Sequence, residues 1–519
     1  MSTDKVVVKT KYGKVRGTSQ NGIYSFKGVP YGGPTGGPNR FLPPTPPEPW
    51  TGIKDANQYG PSIWQITKTS NKKAFDLWGP DGFSSFSEDC LVLNVWTSGL
   101  NDNGKRPVMV WIHGGGFTRG SANDTPWYDG ASLAKTQDVV LVSVNHRLGV
   151  FGYLHLAEVA GDRYATSGNA GMLDLVAALE WVRDNISKFG GDPDNVTIFG
   201  QSGGGQKVCV LMAMPAAKGL FHRAIVQSGH CLKVRNPAET EKATLAFLEE
   251  FGLSPKDINI LHEMQADKIN AGWQAFNPSL HWTHGWKQLF PVVDGVSLLV
   301  HPFYPAAAPT ASDVPLMIGT AKDDINFLLY NDPQFGKYDE ATMRELLVQV
   351  PKGLFREEIP DDRIEGLITT YRQTRDGATP HDLLTGILSD VDRMDSIKIA
   401  ERKIEGGKAP VYMYLFAWES PALNGMLKAC HALDIPFVFN NVEPTVGVIG
   451  DNSGRFELAH QMSGAWAAFA RGGNPNHQGI PSWPTYTLDN RATMIFDTVS
   501  RVEDDPCGEE REAWHGIIQ

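Results

Sequence analysis

The stretch FGQSGGGQK, residues 199 to 207, puts one serine among glycines and is the first place where residue types and spacing suggest chemistry. It has three readings: a phosphate cradle, a bare tight turn, or the seat of a nucleophile. The cradle fails on residue identity. A Walker-type loop ends in Gly-Lys-Ser/Thr, so that a hydroxyl can meet magnesium, whereas here Lys207 is followed by Val208. The tight turn fits the short G-x-S-x-G pattern as it stands. Context favours the nucleophile, because the apolar run NVTIF precedes the turn and VCVLMAM can open a helix after it. Such an elbow holds its serine at strained backbone angles, and larger neighbours would strike the adjoining strand or helix.

A nucleophile of this kind needs donors for the oxyanion it creates. WIHGGGF, residues 111 to 117, follows the apolar run PVMVWIH and offers backbone N–H groups that no side chain shields. Together with the N–H of Gly203 they would form the hole. Taken alone, HGGGF is a flexible loop; the two motifs stand in the order that acyl transfer requires.

The elements that must hold these residues are legible as alternation. VVVKTKYGKVRG and GIYSFKGVPYGG predict short antiparallel strands near the N-terminus. PVMVWIH (107 to 113), DVVLVSVN (138 to 145), NVTIFG (195 to 200) and PVYMYLFAW (410 to 418) predict buried strands. AGMLDLVAALEWVRDNISKF (170 to 189) predicts a helix with Leu173, Val176, Ala177, Leu179, Glu180 and Val182 on its inner face and Asp184 and Lys188 on the other. Buried strands alternating with helices imply an α/β chain with a largely parallel sheet covered on both sides. Residues 33 to 50 are rich in Pro and Gly, but Phe41, Leu42 and Trp50 anchor them as a structured covering loop. Stretches at about 235 to 285 and 325 to 405 are more charged and helical in spacing, and read as insertions at the mouth of the sheet.

Composition bounds the rest. Of 519 residues, 41% are hydrophobic and 20% charged, enough apolar material for a large core. A formal charge of −11 argues against a protein that tracks nucleic-acid phosphates. No segment approaches the roughly 20 apolar residues of a membrane span, and MSTDKVVVKTKYG lacks the apolar run of a secretory signal, so the chain reads as cytoplasmic. The five cysteines are scattered without a C-x-x-C pair, which predicts reduced thiols rather than a metal site or a disulfide framework.

With these motifs in view, the chain resembles the type B carboxylesterase and cholinesterase family of α/β-hydrolases. SEDCLVLNVW (87 to 96) resembles one family signature, and the long run 168 to 205 resembles the elbow signature with its preceding helix. KGLFHRAIVQSG, FPVVDG, HALDIPFVF, FARGGNPN and WPTY extend the likeness over nearly the whole chain. The resemblance implies one α/β-hydrolase domain over 1–519, with a large, mostly parallel central sheet, helices on both faces and helical insertions over the active site.

It also implies roles. Gly115, Gly116 and Gly203 would be the oxyanion donors, Ser202 the nucleophile and His431 the base, in the Ser, acid, His chain order of the fold. Where the family usually shows Asp-Glu-Gly, this chain has Asp323, Asp324 and Ile325, so the acid falls on Asp324 and the neighbour Asp323 is its rival. Ser228 and Asp434 match residues around the family's triad, and with them Gln201 would orient a water or pack under the elbow. Cys90 matches a cysteine that is disulfide-bonded in secreted relatives, but the partner region reads GPSIWQI, with Trp64 and no cysteine.

The activity so implied is hydrolysis of small carboxylic esters through an acyl-enzyme, with neither metal nor cofactor. Gln201 stands where relatives commonly carry glutamate, which in cholinesterases draws in a cationic substrate. A unit charge at 4 Å from a cation is worth about 4 kcal/mol at an effective dielectric near 20. Its absence, with Pro80 at the position of the choline-stacking indole and Trp78 two residues away, predicts a preference for neutral esters. His230, Trp282, Trp286 and Phe290 are candidates for the acyl pocket, His230 because a small residue is usual there. Amides, carbamates or a specialised ester would use the same triad, and a non-catalytic binding protein could share the fold. Oligomeric state is not legible.

Overall fold

The computed structural model, which describes residues 4–65, 82, 85–276, 289–352 and 358–517, gathers its strands into one thirteen-stranded sheet. In chain order they are β1 (Asp4–Lys9), β2 (Lys14–Gln20), β3 (Ile23–Pro30), β4 (Ile53–Asp55), β5 (Val92–Thr97), β6 (Arg106–Ile112) and β7 (Val140–Val144). There follow β8 (Gly191–Gln201), β9 (Arg223–Gln227), β10 (Leu316–Ala321), β11 (Val411–Phe416), β12 (Ala492–Phe496) and β13 (Arg501–Asp504). Across the sheet the order is β1-β2-β3-β5-β7-β6-β8-β9-β10-β11-β12-β13, with β4 beside β2. From β7 to β12 every pairing is parallel. The flanking pairs β1–β2, β2–β3, β3–β5, β5–β7 and β12–β13 are antiparallel.

The two-residue pleat sorts the side chains. On β6, Val108, Val110 and Ile112 join one apolar cluster while Met109 and Trp111 join the other. On β8, Val196 and Ile198 fall with the first set and Phe199 with the second. The first face is covered by the helices Ala170–Asn185, Gly203–Ala213 and Pro380–Gly406, the second by Ala131–Gln137 and Gly454–Gly472. A strand buried on both faces needs apolar residues throughout, which is why these strands read as continuous runs.

The buried face of helix Ala170–Asn185 is wider than the sequence expectation. Val176, Leu179 and Val182 are buried as expected and Leu173 and Ala177 are half-buried against the same core, but Glu180 is exposed, and Met172, Asp174, Leu175, Ala178 and Trp181 are buried as well. The polar member of that face, Asp174, is matched by an ion pair that apolar periodicity cannot show. Arg147 Nη2 meets Asp174 Oδ1 at 2.6 Å, its Nε meets Oδ2 at 2.8 Å, and both residues are buried. The same guanidinium donates to Leu42 O at 2.8 Å, tying down the covering loop. Glu88 does similar work in that loop, accepting from Arg40 Nε at 2.6 Å.

The stretch 325 to 405 holds several helices with different neighbours. Helix Pro380–Gly406 begins with a capping box between Thr379 and Asp382 and lies along β10 and β11. Helices Glu340–Val350 and Asp361–Thr374 pack against it. Between 235 and 285 the described helices are Pro237–Glu250, Ile258–Glu263 and Ala266–Phe276. All five cysteines are free, and Cys90 is buried.

The strand order reverses at β6. The chain leaves β6 for β7 on one side and leaves β8 for β9 on the other, so a crevice opens at the carboxyl ends of β6 and β8. HGGGF and the elbow are the segments that follow those two strands.

Candidate functional site

Ser202 sits between the end of β8 and helix Gly203–Ala213 with φ 57° and ψ −128°, a conformation that a non-glycine residue adopts only under constraint. The constraint is visible. Its N–H donates to Gln227 O at 2.8 Å, and its carbonyl accepts from Gln206 N at 3.0 Å, which starts the helix. Gly203 has to be glycine, because a Cβ there would lie 2.4 Å from Gly116 N. The HGGGF loop therefore runs in direct contact with the elbow, and Gly115 and Gly116 take φ of 84° and 61° to make that turn.

His431 and Asp324 reach the elbow from the neighbouring strands. Asp324 lies three residues past the end of β10, and His431 follows β11 after a loop. His431 Nδ1 is 2.6 Å from Asp324 Oδ1, and the backbone N–H of His431 donates to Asp324 O at 3.1 Å. Asp323 points away, its Oδ2 accepting from Ala429 N at 3.3 Å. Helix Pro380–Gly406 pins the acid loop through Ser389 Oγ, which accepts from Ile325 N at 3.2 Å, and Thr385 Oγ1, 2.8 Å from Asn326 Oδ1. Burial pushes the His431 imidazolium down, but Asp324, followed by Asp392 and Asp434, outweighs it and leaves His431 above its ordinary value.

Gln201 Nε2 stands 3.0 Å from His431 Nε2. With Nδ1–H directed at Asp324, the lone pair of Nε2 accepts from this carboxamide, which is the tautomer a general base requires. Ser228 Oγ accepts from Ala321 N at 3.1 Å and so fixes the end of β10 that leads to Asp324. Asp434 accepts from Gln227 Nε2 at 2.8 Å and Tyr414 Oη at 3.2 Å, and burial lifts its carboxyl to about 6. Gln227 is a positioning residue that sequence reasoning passed over. Its carbonyl holds the Ser202 amide, while its side chain spans Asp434 and Trp466 Nε1, the latter at 3.1 Å.

The pocket candidates divide. His230 turns both ring nitrogens toward helix Pro380–Gly406, with Nδ1 2.6 Å from Asp392 Oδ1 and Nε2 3.1 Å from Asp395 Oδ2. Phe290 packs edge-on against Phe117, the last residue of the HGGGF motif, ring centroids 4.4 Å apart. Trp78, Pro80, Trp282 and Trp286 lie outside the described residues. Among the described residues, no group of three or more His, Cys, Asp or Glu side chains is arranged to hold a metal ion, and no helix is long and apolar enough to cross a membrane.

A serine on a strained turn at the switch point of a mixed sheet, with an imidazole–carboxylate pair beside it, defines an α/β-hydrolase frame. A profile of the carboxylesterase family matches residues 4–514. The para-nitrobenzyl esterase of Bacillus subtilis is 36% identical over 515 residues, covering 98% of each chain. The phenmedipham hydrolase of Pseudarthrobacter oxydans is 32% identical over 497 residues, 94% of each. Among solved structures, a Geobacillus stearothermophilus carboxylesterase at pH 6.2 superposes with a TM-score of 0.84 at 38% identity, over 98% of this chain and 100% of that one. An esterase from Clostridium hathewayi, described as able to hydrolyse aliphatic aromatic polyesters, gives 0.82 at 37%, over 99% and 100%. The chain belongs to the carboxylesterase family and is an enzyme that hydrolyses carboxylic esters.

Proposed function

We propose that Ser202, His431 and Asp324 carry out this hydrolysis as a catalytic triad, in two acyl-transfer steps, on small uncharged esters. The observation that carries the reading is the 2.6 Å contact of His431 Nδ1 with Asp324 beside a serine held at positive φ. In the first step the Ser202 hydroxyl displaces the Gln201 carboxamide at Nε2, gives up its proton there, and its oxygen bonds to the ester carbonyl carbon. The carbonyl electrons move onto oxygen and are stabilised by the amides of Gly115, Gly116 and Gly203. When they return, the alcohol leaves with the proton from His431. Water then repeats the sequence and releases the acid.

Preference for neutral esters follows from Gln201, which presents hydrogen-bonding groups of no net charge to the site. The uncharged para-nitrobenzyl group in the name of a relative supports the same class. Phe290 and Phe117 supply an apolar wall for the acyl or alcohol group. Of the insertions expected at about 235 to 285 and 325 to 405, helix Pro380–Gly406 lies against β10 and β11 as part of the sheet's cover, and the remaining helices are proposed as the roof of a single catalytic domain. Five free thiols support a reducing, cytoplasmic setting.

Pre-steady-state hydrolysis of a p-nitrophenyl ester tests the triad. A burst of p-nitrophenol is expected from the wild type, and Ser202→Ala is expected to lose on the order of 10⁶ in kcat. A Ser202→Ala enzyme that keeps its turnover would remove the reading.

A further inference from the structure

The helix that follows the elbow carries a cation that acyl transfer does not call for. Lys207 lies one turn beyond Gly203 and is fully buried. Its Nζ donates to Gly116 O at 2.7 Å and to His113 O at 3.3 Å, and lies 5.2 Å from the centre of the Phe117 ring. Among the described residues its hydrogen-bond acceptors are thus two backbone carbonyls of one loop. That loop is HGGGF.

A lysine in this place runs against three general preferences. An ammonium is costly to bury without a carboxylate in contact. A cation near the start of a helix opposes the helix dipole. It also depresses its neighbours: the buried imidazoles of His113 and His146, stacked at 4.7 Å, are held far below the ordinary histidine value by burial and by this charge. Burial brings Lys207 itself down to about 7, with Asp124 pulling the other way. A group kept against so many costs has a use in holding what it touches.

We propose that Lys207 is the positioning residue of the oxyanion loop: its ammonium clamps the carbonyls of His113 and Gly116 from beneath, fixes the adjoining amides toward Ser202, and places a positive charge behind the developing oxyanion. The inference rests on the triad reading given above. The geometry suits the task. The Cβ of a helical residue tilts toward the helix N-terminus, so the Lys207 chain reaches back under the residues that would bear the oxyanion. Gly115 and Gly116, both at positive φ, have little intrinsic conformational preference, and the two carbonyl contacts supply the restraint that glycine lacks. Charge-assisted hydrogen bonds are about twice as strong as neutral ones, so an ammonium holds this loop better than an amide or hydroxyl would.

The test compares Lys207→Met and Lys207→Gln with the wild type, using a p-nitrophenyl ester and a trifluoromethyl ketone. The ketone adds to the serine and puts an oxyanion in the hole. Lys207→Met is expected to lower kcat by about 10- to 100-fold, less than loss of a direct hole donor, and to weaken the ketone by a similar factor. Binding of a ground-state analogue, the corresponding alcohol, is expected to stay within about twofold. Lys207→Gln, which can still donate to one carbonyl, is expected to fall between the two. A folded Lys207→Met enzyme with wild-type kcat and ketone affinity overturns the proposal, as does equal weakening of ketone and alcohol. Should Lys207→Met not fold, Lys207→Gln decides by the same two ratios, and wild-type kcat together with wild-type ketone affinity in that variant overturns the proposal. Failure of the triad reading is distinct, because it would show as activity retained in Ser202→Ala whatever Lys207 does.

Discussion

The carboxamide nitrogen of Gln201 lies 3.0 Å from Nε2 of His431, on the side of the ring opposite Asp324. The residue before the proposed nucleophile is therefore a direct partner of the proposed base, beyond being a neutral stand-in for a charge. It holds the imidazole between two hydrogen bonds and occupies the lone pair that the serine proton must reach.

Replacing Gln201 by glutamate puts a carboxylate against Nε2 and favours the imidazolium. The acid limb of kcat/KM is expected to move to higher pH, because more alkali is then needed to free the base. The ratio of choline-ester to matched neutral-ester turnover is expected to rise by about tenfold, a fraction of the full Coulomb attraction between charges at close range. Steady-state profiles with an isosteric ester pair measure both effects. A wild type that already prefers the choline ester would contradict the neutral-ester reading.

His431 is held above its ordinary value chiefly by Asp324 acting against burial. In the proposed mechanism its neutral form is the base, so activity is expected to disappear as pH falls through a value above the ordinary histidine range. Asp324→Asn removes the main upward influence, so the limb should shift to lower pH while kcat drops by about 10⁴ through the wrong tautomer. Asp323→Asn, whose side chain faces Ala429, is expected to keep the limb in place. The pH–rate profiles of the two variants separate the neighbours.

His230 is expected to matter for stability more than for acyl selectivity. His230→Ala leaves Asp392 and Asp395 buried without the imidazole they face, and a buried polar group that loses its partner costs about 1–3 kcal/mol. Urea denaturation measures that loss. Unchanged stability combined with a changed ratio of small to bulky acyl esters would instead make His230 a wall of the pocket.

The Arg147–Asp174 pair joins the covering loop to the helix before the elbow. Asp174→Ala is expected to destabilise the fold by about 3–5 kcal/mol, because Arg147 would remain buried with its charge uncompensated. Thermal unfolding of the variant checks this.

Much of the frame is legible in the sequence because periodicity reports burial directly. The parallel strands β6, β7, β8 and β11 show as apolar runs, whereas the capping box that starts the long helix at Thr379-Pro380 emerges only with the structure. On helix Ala170–Asn185 periodicity finds Val176, Leu179 and Val182 but places Glu180 inward and misses Asp174, which faces inward to meet Arg147. Spacing cannot reveal how distant segments meet, so the His230 contacts with Asp392 and Asp395 and the Gln227 link between Ser202 and Asp434 emerge only with the fold. Asp323 and Asp324 look interchangeable as letters, and the backbone after β10 sends them in different directions. Lys207 is visible in the opening motif, but only the approach of HGGGF gives it a partner.

In the proposed mechanism Ser202 becomes acylated, and His431 with Asp324 drives both the formation and the breakdown of the acyl-enzyme. Rapid quenching during turnover of a p-nitrophenyl ester, followed by peptide mapping with mass spectrometry, tests this most directly. The acyl mass is expected on the peptide containing Ser202, accumulating with the burst and absent from His431→Ala on the same timescale. Ester turnover with no acyl group on Ser202, or with the label on another residue, would contradict it.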